Sequence, residues 1–278
     1  MGYYVTVEKG VNVYVEDVGS GKPVVLIHGW PVNHNMFEYQ TSQLPKYGYR
    51  TISIDLRGFG KSDRPWQGYS YDRMADDIHE VLETLRLKNV RLIGFSMGGA
   101  IAIRYMARHA GKRVSQLILV DAAAPAFTQR PGFPYGFTKA EIDALLEQND
   151  KDRPQLLTDF GNIFFAQSIS DSFRNWFQLL GLEADSHATY ETLKSLRDED
   201  LRADLAKIHV PTAIFHGKLD KVAPYPLAIA MNEGIKGSLL VPFEHSGHGS
   251  FYDEREKFHK ELLSFLDSLR YFVGEEEI

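Results

Sequence analysis

The sequence predicts an α/β protein: a mostly parallel eight-stranded sheet flanked by helices, with a helical cap inserted after strand 6. Three observations carry that expectation. Short continuous apolar runs recur along the chain, as they do in strands covered on both faces. Helical periodicity fills most of the intervals, and strand–helix alternation implies a parallel sheet wrapped on both faces by right-handed crossovers. One interval, residues 125–207, breaks the alternation with helical patterns alone.

In chain order, "YYVTVE" and "VNVYVEDV" alternate apolar and polar residues around Lys9-Gly10, which predicts an antiparallel hairpin with one wet face. The buried strands follow as "VVLI" (24–27), "RTISI" (50–54), "VRLIG" (90–94), "QLILV" (116–120), "TAIFH" (212–216) and "SLLVPF" (238–243). "YDRMADDIHEVLETLRL" sets Met74, Ile78, Val81, Leu82 and Leu85 on one helical stripe, with acidic residues early. "AIAIRYMARHA" and "EREKFHKELLSFLDSLRYF" are two further helices. Within 125–207, "TKAEIDALLEQ", "SDSFRNWFQLLG" and "ATYETLKSLRDEDLRADLAKI" read as helices, and Trp176 with several Phe suits a lid over something apolar. The expected organisation is a core from 1–124 and 208–278, with a helical cap at 125–207. The tail "GEEEI" reads as a solvated end.

Composition narrows the function. The 278 residues include 44% hydrophobic and 24% charged side chains, as in an ordinary globular protein. A formal net charge of −6 with no basic cluster argues against nucleic acid as a partner. With no cysteine, thiolate nucleophiles, disulfides and Cys-ligated metals are excluded. The first residues lack the pattern of a secretion signal, and no apolar run reaches the length of a membrane span, so a cytoplasmic protein without a membrane partner is expected. Gly2 is a weak myristoylation signal, because residue 6 is Thr in a predicted strand. A homo-oligomer is compatible with the sequence and not required by it.

The chemistry centres on "GFSMG", Gly94 to Gly98, a G-x-S-x-G placed where a strand opens into a helix. Such a corner strains the backbone of its central residue, and bulk two positions away would collide. Ser96 would therefore stand at the carboxyl edge of the sheet, where open α/β sheets bind ligands. The Met97 N–H would point at an oxygen that becomes negative during attack by Ser96. A serine hydroxyl needs a base, and the base an orienting acid, in the chain order Ser, acid, His. Asp220 follows the strand "TAIFH", and His248 lies between glycines after "SLLVPF". Asp121 is the rival acid and His245 the rival base. His28 is expected to hold its loop by hydrogen bonding, and His79, His109, His187, His209 and His259 to be surface or helix-end residues. His216, His245 and His248 are weighed as a zinc site, but no His pair at helical metal spacing supports it. The second oxyanion donor is expected from the loop after the first buried strand, at Trp30, with Pro31 shaping the loop behind it. Trp30, Phe95 and Pro31 are expected around the substrate pocket. No metal or organic cofactor is expected.

With "HGW", "DLRGFGKSDRP", "GFSMGG", "HGKLDKVAP" and "HSGHG" in this order, the chain resembles the α/β-hydrolases along nearly its whole length. "GFSMGG" with "HGWP" resembles in particular their cofactor-free haloperoxidases, arylesterases and γ-lactamases. The resemblance implies an α/β-hydrolase fold, a Ser96–Asp220–His248 triad, and an oxyanion site from Trp30 and Met97. It also implies serine hydrolysis of small carboxylic esters, with perhydrolase, lactonase or γ-lactamase side activity. "DLRGFGKSDRP" is shared with epoxide hydrolases and haloalkane dehalogenases, whose nucleophile is Asp; Ser96 directs this chain to acyl chemistry. A carbon–carbon bond hydrolase and a slow-turnover ligand sensor are the alternative functions.

Overall fold

The computed structural model describes residues 1–268, so the terminal "GEEEI" lies outside the described residues. Eight strands form one sheet: β1 (Gly2–Glu8), β2 (Val11–Gly19), β3 (Lys22–Ile27), β4 (Tyr49–Ile54), β5 (Val90–Phe95), β6 (Val114–Val120), β7 (Thr212–Gly217) and β8 (Leu239–Phe243). Their order across the sheet is β1-β2-β4-β3-β5-β6-β7-β8. The β1–β2 hairpin turns at Lys9-Gly10, and β2 pairs antiparallel with β4. Every other pairing is parallel, as the continuous apolar runs require.

The pleat divides the apolar side chains between two layers. Val25, Ile27, Leu92, Leu117, Leu119 and Ile214 pack with Met74, Ile78 and Leu82 of α2 (Tyr71–Thr84) and Ile101 of α3 (Met97–Arg108). Val24, Leu26, Ile93, Phe95, Ile118 and Phe215 face the other way. They pack with Phe251 of the one-turn α8 (Ser250–Asp253) and with Phe258, Leu262 and Leu266 of α9 (Arg255–Asp267). Ser70 caps α2 by accepting the Arg73 N–H. Elements without an amphipathic stripe escape sequence reading: the 3₁₀ turns at His34–Phe37 and Leu44–Tyr47, the single turn α1 (Glu38–Thr41), and α7 (Pro226–Gly234).

Between β6 and β7 the chain forms α4 (Lys139–Phe164), α5 (Asp171–Leu182) and α6 (Ser186–Asp198), with a 3₁₀ turn at Leu205–Lys207. Thr138 and Glu141 close a reciprocal capping box at the start of α4. The sequence suggests a helix ending near Gln148, but α4 continues to Phe164 across a break at Asp152 (φ −157°, ψ 74°). Asp152 acts there as a second cap: its Oδ1 accepts the Gln155 N–H at 3.1 Å. Pro154 falls in the first turn after that cap, where its missing N–H costs nothing. This segment meets the carboxyl edge of the sheet. The His248 N–H donates to the Phe164 carbonyl at 2.8 Å, and the Trp30 indole N–H donates to the Thr189 carbonyl at 3.1 Å. Among the described residues no helix is long and apolar enough to cross a membrane.

Candidate active site

Ser96 joins β5 to α3 with φ 53° and ψ −119°, a conformation that costs an L-residue and persists only where the surroundings impose it. The glycines around it explain how the corner closes. A Cβ on Gly94 would lie 2.5 Å from the Gly98 carbonyl oxygen, and one on Gly98 would run into the Ile27 carbonyl. A Cβ on Gly99 would come within 2.6 Å of the Ala122 Cβ. Only hydrogen at these positions lets α3 start so close to β3 and β6.

Parallel pairing of β3, β5, β6, β7 and β8 brings their carboxyl ends to one edge, and the loops there carry the residues singled out in the sequence. Ser96 Oγ lies 2.9 Å from His248 Nε2, and His248 Nδ1 lies 2.8 Å from Asp220 Oδ2. Asp220 is fixed in turn, because its Oδ1 accepts the Val222 and Ala223 N–H groups, both at 2.8 Å. Nδ1–H donating to the carboxylate leaves Nε2 as the acceptor for the serine proton. His248 is fully buried between the rings of Phe95 and Phe164, at centroid distances of 5.0 and 4.9 Å, while Ser96 keeps 5% of its surface open. Met97 is the first residue of α3, so its N–H has no acceptor one turn back in the helix.

Neither rival joins the hydrogen-bonded line of Ser96, His248 and Asp220. His245 is exposed, and its backbone N–H donates to Glu254. Asp121 is fully buried and contacts no histidine by hydrogen bond. Its Oδ1 accepts the Gly217 N–H at 2.8 Å; its Oδ2 accepts the Ser250 N–H at 3.1 Å and lies 2.6 Å from the Ser250 hydroxyl. It thus ties together the loops that present Asp220 and His248. Burial, and then the neighbouring Asp220 carboxylate, push the Asp121 carboxyl well up. His28 accepts the Leu56 N–H on Nε2 at 3.0 Å, so Nδ1 carries the proton shared with the Gly29 carbonyl at 2.9 Å. Burial pushes His28 down to about 4, which keeps the ring neutral.

Among the described residues His216, His245 and His248 do not come together as a ligand group: His216 and His248 are fully buried and His245 is exposed. Asp121, His216 and Asp220 do bring ligand-type atoms within 4.8 Å of one another. Each carboxylate oxygen of the two acids already accepts hydrogen bonds, so the cluster reads as a hydrogen-bond network. His216 Nε2 lies 2.6 Å from the Ala223 carbonyl, and burial lowers its pKa.

Above Ser96 lies a cavity of about 260 Å³. Its wall is Trp30, Val222, Phe127 and Phe137 together with Leu145, Leu156, Phe160, Ile163, Leu193 and Leu196, and its two polar members besides Ser96 are Gln148 and Asp159. The Trp30 ring meets Phe160 edge-on at 5.1 Å. Two expectations need correction. Phe95 does not line this cavity: the strand pleat turns it to the same face as Ile93, where it packs against Phe164, His248 and Phe251. Pro31 lines a separate cleft of about 40 Å³, with Val32, Leu157, Phe160, Phe177 and Gly181. The wall residues from α4 and α6 escape sequence reading, because an aliphatic residue facing a cavity carries the same helical periodicity as one facing a core.

A family model described as alpha/beta hydrolase fold matches residues 22–255. The AB hydrolase superfamily protein YisY of Bacillus subtilis (strain 168) is 55% identical over 268 residues, covering 96% of this chain and 100% of that protein. Among solved structures, the esterase EaEST from Exiguobacterium antarcticum superposes with a TM-score of 0.95 at 54% identity, covering 96% of this chain and 100% of that one. A bromoperoxidase from Bacillus anthracis superposes with a TM-score of 0.93 at 34% identity, again over 96% of this chain and 100% of that one.

Proposed function

The chain belongs to the α/β-hydrolase fold family, and on that premise we propose that it is a carboxylesterase-like serine hydrolase that cleaves small carboxylic esters through an acyl-enzyme on Ser96. One observation carries the reading: Ser96 Oγ, His248 and Asp220 stand in a line of 2.9 and 2.8 Å contacts, and Ser96 opens onto an apolar cavity. Its likeness to the esterase from Exiguobacterium antarcticum supports it further.

In this reading His248 Nε2 takes the Ser96 proton as Oγ bonds to the ester carbonyl carbon, and the carbonyl oxygen becomes an oxyanion. The Met97 and Trp30 backbone N–H groups stabilise that charge, each worth about two to three orders of magnitude in rate. The imidazolium is held by Asp220 and gives its proton to the departing alkoxide, leaving the acyl group on Ser96 and an alcohol free. Water then loses a proton to His248 and attacks the acyl carbon, and the proton returns to Ser96 as the acid leaves. Residues 125–207 act as a cap that encloses the apolar limb of the substrate, on the core formed by 1–124 and 208–278. Hydrogen peroxide in place of water would release a peracid, a side reaction favoured by the likeness to a bromoperoxidase.

Ser96→Ala tests the reading on a p-nitrophenyl butyrate assay. Expected is a fall in kcat of about four to six orders of magnitude with an unchanged unfolding transition. Near-native turnover by the variant would remove Ser96 as nucleophile.

A further inference from the structure

The cavity over Ser96 has one feature that ester cleavage does not require. Asp159 and Gln148, its two polar wall residues besides Ser96, sit on opposite sides of the break in α4. Gln148 Nε2 donates to Asp159 Oδ2 at 3.1 Å, and Gln155 Nε2 donates to Asp159 Oδ1 at 2.8 Å. Asp159 is exposed, and Ile163, one turn further along the same wall, is 39% exposed, so this side of the cavity is its rim with solvent. Among the described residues no Lys, Arg or His forms an ion pair with Asp159. The nearest cations in sequence are engaged elsewhere: Lys151 with Glu147, and Arg153 with the Gly181 and Leu182 carbonyls. An uncompensated negative charge therefore stands at the entrance of an apolar chamber.

We propose that Asp159 is a charge-selecting residue that restricts the cavity to uncharged ester limbs and weakens the hold on the carboxylate product. The proposal rests on the Ser96 reading and deepens it by naming the substrate class. Two effects act in the same direction. An anionic group entering the chamber would lose water with mostly aromatic and aliphatic walls in return. Before it does so, the Asp159 carboxylate repels it across a rim where low-dielectric walls reduce screening. Hydrolysis turns a neutral ester into an anion, so the same charge disfavours the product more than the substrate. The amide donors of Gln148 and Gln155 orient the carboxylate without neutralising it.

A matched substrate pair, followed by released ethanol, tests this: ethyl 4-methylpentanoate, and monoethyl succinate, which carries a carboxylate in place of the branched end. The quantity read is the ratio of kcat/KM for the anionic ester to that for the neutral one, in wild type, Asp159→Asn and Asp159→Lys. Asp159→Asn should raise the ratio roughly three- to tenfold at low salt, Asp159→Lys further, and 0.5 M salt should shrink the difference. A ratio unchanged within about twofold in both variants, or both esters altered by the same factor, would overturn the proposal and leave Asp159 as a staple across the helix break. Binding separates this outcome from failure of the Ser96 reading. In Ser96→Ala protein, which need not turn over, adding Asp159→Asn should tighten 4-methylpentanoate relative to 4-methylpentanamide by a similar factor. No relative tightening there counts against the charge-selecting role.

Discussion

Asp121 and Asp220 lie close together at the carboxyl edge of the sheet, and both are buried. Two anions so close would repel strongly, and burial followed by the Asp220 charge pushes the Asp121 carboxyl well up. Asp121 Oδ1 accepts the Gly217 N–H, and its Oδ2 accepts both the Ser250 N–H and the Ser250 hydroxyl. Asparagine keeps one of those acceptors, Oδ1 for the Gly217 N–H, whereas alanine leaves both buried N–H groups unsatisfied. Asp121→Asn should therefore cost less than Asp121→Ala, which should lose about 2–4 kcal/mol of stability and more activity. Denaturant unfolding and kcat for both variants check the order; Asn equal to or worse than Ala would contradict it. Asp121 was visible in the sequence only as a rival acid. Its partners, Gly217 and Ser250, come from loops remote in the chain, which no local pattern reveals.

The corner between β5 and α3 was legible because its geometry depends on consecutive residues, Gly94 to Gly99, and on nothing distant to recognise. The facing loop was less so. Gly29 sits beside the corner, and a Cβ there would lie 2.7 Å from the Ser96 Cβ and 2.8 Å from the Phe95 ring. Gly29→Ala must then displace either the serine or the segment carrying Trp30, and a displacement of that size is worth about a hundredfold in rate. Gly10 offers the comparison: its φ of +80° makes alanine strained, but nothing lies within 4 Å. Gly10→Ala should cost stability and leave turnover alone, whereas Gly29→Ala should lower kcat at a similar thermal midpoint. Equal activity losses in the two would refute a specific role for Gly29. In α4 local reading fails in the opposite way, since "NDKDRP" looks like a loop until Asp152 is seen capping a second helical segment.

At the level of the whole molecule, alternating strands and helices dictate parallel pairing, and parallel pairing gathers the loops of Ser96, Asp220 and His248 at one edge; the strand order, with β4 between β2 and β3, does not follow from that alternation. What fills the space above those loops does not follow either. Trp30 and Phe160 approach across the junction of sheet and insertion, and one apolar core runs from Val25 and Ile27 through Leu156 and Leu193. Phe95 and Pro31, adjacent in sequence to Ser96 and Trp30, were expected in the cavity on proximity alone, and the pleat and the loop direct them away. Cavities are made by side chains from separate elements, so their walls appear only once the elements are packed.

In the proposed reaction Ser96 forms a covalent bond to the acyl carbon while His248 takes its proton. Diethyl p-nitrophenyl phosphate reports on that chemistry directly, because an activated serine displaces p-nitrophenolate and retains the phosphoryl group. Mass spectrometry of the digested protein should find one diethylphosphoryl group per chain, on the peptide containing Ser96, with loss of esterase activity in proportion to labelling. Label on another residue, or full esterase activity in protein stoichiometrically modified at Ser96, would contradict the account.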